Sequence, residues 1–125
     1  MERKHVIALL RKAPKRFRKS FGYSWNGLKA TFQKEESFRL ECIGFAVTLA
    51  ALCLSSWPLW KHLVLIGSYF LILLVEVVNS AIEDICDGIT RDYSLFIMNA
   101  KDKGALAVLM AIVINAFTLA TLLIV

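Results

Sequence analysis

Glu76, Asn79, Ser80, Glu83 and Asp87 follow one another at intervals of three, one, three and four residues inside an otherwise apolar stretch. At about 100° per residue, this spacing gathers all five onto one side of a helix. The other side carries Val77, Val78, Ala81, Ile82 and Ile85, which suit lipid or a neighbouring helix. Ionisable groups at membrane depth are costly, and they face a protein interior or a watery cavity where they do work. Carboxylates on one stripe repel each other unless protons or a cation neutralise them. Mg²⁺ suits such a stripe, because it prefers carboxylate oxygens and bridges readily to phosphate. A helix that merely emerges into water accounts for Asp84 and Asp87. It does not account for Glu76 and Asn79, which precede another apolar turn. Lys101 joins the stripe if the following helix packs antiparallel, either as a plain ion pair or as a point-charge clamp on phosphate.

The elements that position these groups are read from the apolar blocks. The chain has 125 residues and is 58% hydrophobic. Gly104–Val125 is uncharged and interrupted only by Asn115, Thr118 and Thr121, and about 20 apolar residues cross a hydrocarbon core. Cys42–Ser56 is a second block, which Trp57-Pro58-Leu59-Trp60 extends to the interface. A third begins at Leu63 and must run through Glu76 toward Ile85 to reach spanning length. The expected fold is an all-α integral membrane protein, with spans at about 42–60, 63–85 and 104–125 and a loop at about 86–103. Residues 1–41 form an interfacial region ahead of it. There Val6, Ile7, Leu9, Leu10 and Phe17 alternate with basic residues in an amphipathic surface helix that Pro14 divides. A second amphipathic stretch, Gly22–Glu41, leads into the first span.

Charge sets the orientation. Residues 1–41 and the 86–103 loop together hold 14 Lys and Arg, whereas the loop between the first two spans holds only Lys61. Positive residues near span ends stay cytoplasmic, so the N-terminus is expected inside and the C-terminus outside. The adjoining bilayer explains the basic N-terminus better than a nucleic-acid partner does. Val6–Leu10 is too short for a signal-peptide core. Cys42, Cys53 and Cys86 have no paired spacing and read as packing residues. No GxxxxGK[ST] loop, strand-borne GxGxxG or protein-kinase signature occurs.

Several segments together resemble the prokaryotic diacylglycerol kinase family. They are Gly22-Tyr23-Ser24-Trp25-Asn26-Gly27-Leu28, Glu35, Phe38-Arg39-Leu40-Glu41, Val75-Glu76-Val77-Val78-Asn79-Ser80-Ala81-Ile82-Glu83, Ala100-Lys101-Asp102 and Gly104. The resemblance covers roughly residues 16–125. It implies a homotrimer in the bacterial inner membrane that transfers the γ-phosphate of ATP, with Mg²⁺, to the hydroxyl of diacylglycerol. By position, Glu76 resembles the general base, and Glu35 and Glu83 resemble metal-binding carboxylates that also contact nucleotide. Arg16, Tyr23, Asp92, Tyr93, Lys101 and Asp102 resemble further nucleotide contacts. Arg16, Ser20, Tyr23, Ser24, Trp25, Arg39, Glu76 and Asn79 resemble the lipid-binding set. The chain departs from the family pattern at Ser94, where a His is common, and at Asn26, where a basic residue is common.

Two alternatives stand beside this reading. An undecaprenol kinase would use the same scaffold on a polyprenol. A non-enzymatic oligomer with Glu76 lining a pore would conduct cations, but it gives Glu35 and the Lys101-Asp102 pair no task.

Overall fold

The structure is a computed structural model that describes residues 2–90 and 94–125, with side chains from residue 16 onward. Four helices account for nearly all of it: α1 (Glu2–Lys34), α2 (Glu36–Leu54), α3 (Leu59–Ile89) and α4 (Leu95–Ile124). The last three are long and apolar enough to cross a membrane, so the all-helical, three-span architecture expected from the sequence is the one observed. α1 forms one compact unit and residues 35–125 another.

Helix boundaries differ from those expected. α1 runs unbroken through Pro14. A proline removes one backbone hydrogen bond and crowds one carbonyl, and good helix formers such as Ala, Leu, Lys and Arg on both sides carry the helix past it. The Gly22–Glu41 stretch is instead interrupted at Glu35, whose extended backbone (φ −94°, ψ 117°) separates α1 from α2. α2 stops at Leu54, so the Trp-Pro segment does not prolong it. Proline disfavours helical geometry in the residue before it, and Pro58 serves as the N-cap of α3. Most of the 86–103 segment is helical rather than loop, because α3 continues to Ile89 and α4 begins at Leu95. Hydropathy marks where the apolar solvent ends, and helices carry on into water as long as their residues favour it.

Within residues 35–125, α3 is the central helix and packs against both α2 and α4. Its buried positions are Leu65, Ile72, Glu76, Asn79, Ser80 and Cys86. One face therefore starts apolar and turns polar at Glu76. At about 1.5 Å per residue, α3 and α4 are each roughly 45 Å long, well beyond a hydrocarbon core of about 30 Å. Glu76 lies roughly 25 Å along α3 from Leu59, close to where the helix leaves that core.

The end of the bundle away from Glu76 is held by Leu52, Leu65 and Leu122, against which Trp57 and Ile66 pack. Ser55 Oγ lies 2.9 Å from His62 Nε2 and 2.9 Å from the Leu52 carbonyl, which closes the turn between α2 and α3. Lys61 Nζ donates to the Leu122 carbonyl at 2.9 Å and lies over the Trp57 and Trp60 rings at 5.2 and 5.7 Å. Leu65→Ala is expected to open a cavity in this cluster and cost about 2 kcal/mol, read as a lower thermal midpoint in detergent. Most other large apolar side chains are exposed, among them Phe70, Leu74, Met110 and Phe117. That is the surface a lipid-embedded chain presents.

Candidate functional site

α3 presents its polar stripe inward. Glu76 is 4% exposed, Asn79 8% and Ser80 4%, whereas Val77, Val78 and Ile85 on the other side are exposed. The period of the sequence therefore located the buried face correctly. The stripe opens outward along the helix: Glu83 is half-buried and Asp87 exposed.

Three neutral donors hold three of the carboxylates. Ser37 Oγ, in the first turn of α2, donates to Glu76 Oε1. Ser80 Oγ donates to Glu35 Oε1 at 2.9 Å, and Asn79 Nδ2 donates to Glu83 Oε1 at 3.1 Å. Glu35 and Glu83 are thus each gripped by one of two consecutive α3 residues. A neutral donor orients a carboxylate without supplying a counter-charge. Glu41, one turn into α2, interacts with Glu76 as a like charge, and its Oε2 atom is buried without a hydrogen-bond partner. Tyr69, two turns before Glu76, donates its hydroxyl to the Glu41 carbonyl at 3.1 Å.

Lys101 approaches the outer end of the stripe from α4. It pairs with Asp87 at 2.5 Å and interacts electrostatically with Glu83. The antiparallel packing of α3 and α4 makes this meeting possible, and the ion pair is the contact observed. Asp102 is exposed. Arg39 is half-buried in the first turn of α2. Arg16, Ser20, Tyr23, Ser24 and Trp25 lie exposed on α1, within the separate N-terminal unit. The first four share a helix face by their spacing, with Lys19 Nζ 5.9 Å from the Tyr23 ring and Ser24 Oγ bonded to the Ser20 carbonyl at 3.1 Å. Asp92 and Tyr93 lie outside the described residues.

Among the described residues, no group of three or more His, Cys, Asp and Glu side chains could hold a metal ion. Glu35 and Glu83 would supply two carboxylate ligands, and water or phosphate oxygens would have to complete the shell, as is common for Mg²⁺. The donor set is all hard oxygen, and it fits such an ion.

Ser37 and Glu41 were not picked out as site residues from the sequence. Ser37 carries no local signal, since it pairs with Glu76 across 39 positions. Glu41 did carry one, as an acid placed directly before an apolar run. Ser37→Ala removes one hydrogen bond to a charged group, worth about 1.5 kcal/mol. Turnover is expected to fall roughly tenfold and the thermal midpoint by a few degrees, measured side by side on the purified variant.

These features define the class: a small helical membrane protein with a carboxylate-rich site where its bundle leaves the apolar layer. Comparison with known proteins narrows it. Residues 22–123 match the family described as "Prokaryotic diacylglycerol kinase". The chain is 37% identical over 105 residues to a diacylglycerol kinase of Escherichia coli strain K12, covering 84% of this chain and 86% of that one. It is 32% identical over 109 residues to a diacylglycerol kinase of Pseudomonas aeruginosa, covering 87% and 89%. It is 30% identical over 92 residues to that of Haemophilus influenzae, covering 74% and 78%. The chain belongs to the prokaryotic diacylglycerol kinase family. It is therefore a membrane-embedded lipid kinase, and the pore reading falls away.

Proposed function

We propose that the protein transfers the γ-phosphate of ATP to the hydroxyl of diacylglycerol, giving phosphatidic acid, on the cytoplasmic side of the bacterial inner membrane. The observation that carries this reading is the buried Glu76 carboxylate, held by Ser37 at the depth where α3 leaves the hydrocarbon. A diacylglycerol hydroxyl lies at that same depth, just below the headgroups. With Oε1 engaged by Ser37, Oε2 is left to accept the hydroxyl proton as the oxygen attacks phosphorus. The hydroxyl proton passes to Glu76 as the lipid oxygen bonds to the γ-phosphorus, the bond from that phosphorus to the β,γ-bridging oxygen breaks, and ADP leaves with the electron pair of that P–O bond.

Phosphoryl transfer needs mainly positioning and charge neutralisation. Glu35 and Glu83 would hold Mg²⁺, which supplies charge neutralisation for the β- and γ-phosphates when bound. Ser80 and Asn79 fix these carboxylates from behind. Lys101 exchanges Asp87 for phosphate oxygens, and the family resemblance assigns nucleotide-binding roles to Asp102, Asp92, Tyr93, Arg16 and Tyr23. The same resemblance assigns lipid-binding roles to Arg39, Ser20, Ser24 and Trp25. A cavity of about 300 Å³ bounded by Thr48, Leu65, Tyr69 and Asn115 gives room between the spans for apolar chain. A homotrimer would let neighbouring protomers share the enclosure of two substrates that three helices are too few to surround.

The test offers the purified protein γ-labelled ATP with diacylglycerol and undecaprenol in parallel. Label is expected in phosphatidic acid. Label found only in the polyprenyl phosphate would move the protein to the undecaprenol branch, and label in neither lipid would refute the reading.

A further inference from the structure

Two of the six glycines occupy places where an added Cβ would force a neighbouring side chain to move. A Cβ at Gly22, Gly27, Gly67 or Gly88 would meet nothing within 4 Å. At Gly44 it would overlap the Tyr69 hydroxyl, and at Gly104 it would overlap Asn79 Oδ1, with Asn79 Cγ only 3.3 Å away. Both collisions involve polar side chains of α3, approached from α2 in one case and from α4 in the other.

The contact at Gly104 has a direct line to the site. Gly104 is itself buried in α4. The Asn79 amide lies against it on one edge and donates to Glu83 on the other. Asn79 Oδ1 is buried and has no hydrogen-bond partner, so on that edge packing against Gly104 takes the place of a bond, while Nδ2 is held by Glu83. A methyl group there would have to displace the amide, and displacing it moves or breaks the bond from Nδ2 to Glu83. Glycine inside a helix costs about 1 kcal/mol relative to alanine. That cost is tolerated here in a helix otherwise rich in alanine and leucine.

We propose that Gly104 is a positioning residue for metal binding: the side chain it lacks sets the Asn79 amide, and the amide sets the Glu83 carboxylate. This rests on the reading of Glu83 as a metal-binding group. Groups that orient a metal ligand from behind typically change metal affinity by about ten- to a hundredfold when lost.

The test is Mn²⁺ binding to the purified full-length protein with a non-hydrolysable ATP analogue, followed by the electron paramagnetic resonance of free Mn²⁺. Gly104→Ala is expected to weaken binding about tenfold or more, while Gly67→Ala leaves it unchanged. In kinetics the same variant should raise the Mg²⁺ concentration needed for half-maximal rate, and excess Mg²⁺ should restore most of that rate, a recovery that general loosening of the bundle would not give. Asn79→Ala removes the amide, so adding Gly104→Ala to it should cost no further affinity. An equal loss in both backgrounds, or none in either, overturns the proposal. If Gly104→Ala alone does not fold, folding restored in the double variant supports it, and failure of both overturns it. Binding by the unmodified protein that Gly104→Ala does not disturb sinks the positioning role alone. Absence of binding by the unmodified protein sinks the metal reading with it.

Discussion

Glu76→Gln is expected to lower kcat by about 10²- to 10⁴-fold, the usual contribution of a positioned general base. The substitution keeps the size of the side chain and an oxygen that can accept from Ser37 Oγ. It removes the ability to take a proton. Glu76 is buried in the wall between α2 and α3, and replacing its charge by a neutral amide relieves the repulsion from Glu41. The variant should therefore be at least as stable as the unmodified protein while being nearly inactive. That opposition of stability and turnover is the signature sought. A variant that turns over at close to the original rate would remove Glu76 from the chemistry.

Glu83→Gln is expected to lower kcat/KM for MgATP by about 10²-fold, the scale seen when one group that stabilises developing charge is removed. Asn79 Nδ2 can still donate to the remaining oxygen, so the local packing survives and the charge alone is lost. Raising Mg²⁺ should recover part of the rate, because weakened affinity is offset by concentration. Glu35→Gln should behave alike, since Ser80 holds Glu35 as Asn79 holds Glu83. The measurement is initial rate against Mg²⁺ at fixed, saturating lipid. Loss of rate with an unchanged Mg²⁺ dependence would assign these carboxylates another task.

The three-span plan and the inward face of α3 were both legible in the residues. Hydropathy finds the spans because the bilayer is the solvent being read. The 3.6-residue period finds Glu76, Asn79 and Ser80 because all three fall on the side of α3 that its neighbours cover, Ser37 and Glu35 meeting Glu76 and Ser80, and Gly104 of α4 meeting Asn79. What could not be read was tertiary. Nothing local to Ser37 shows that it meets Glu76, and nothing in Tyr69 shows that its hydroxyl reaches the Glu41 backbone. Helix ends were misplaced for a related reason: charged residues such as Lys101 and Lys103 mark the edge of the oil, yet they are good helix formers and the backbone coils on through them. The residues placed at the site by family resemblance divide along the chain. Glu35, Glu76, Asn79 and Glu83 come together through Ser37 and Ser80, whereas Arg16, Ser20, Tyr23, Ser24 and Trp25 are carried by the separate α1 unit.

The central claim is that a cation and a nucleotide neutralise the acidic row on α3 where the helix leaves the membrane. Equilibrium binding of Mn²⁺ with a non-hydrolysable ATP analogue, compared between the unmodified protein and a Glu35→Gln/Glu83→Gln double variant, tests it most directly. Nucleotide-dependent Mn²⁺ binding that the double variant loses is the result expected. Equal binding by both proteins would contradict it.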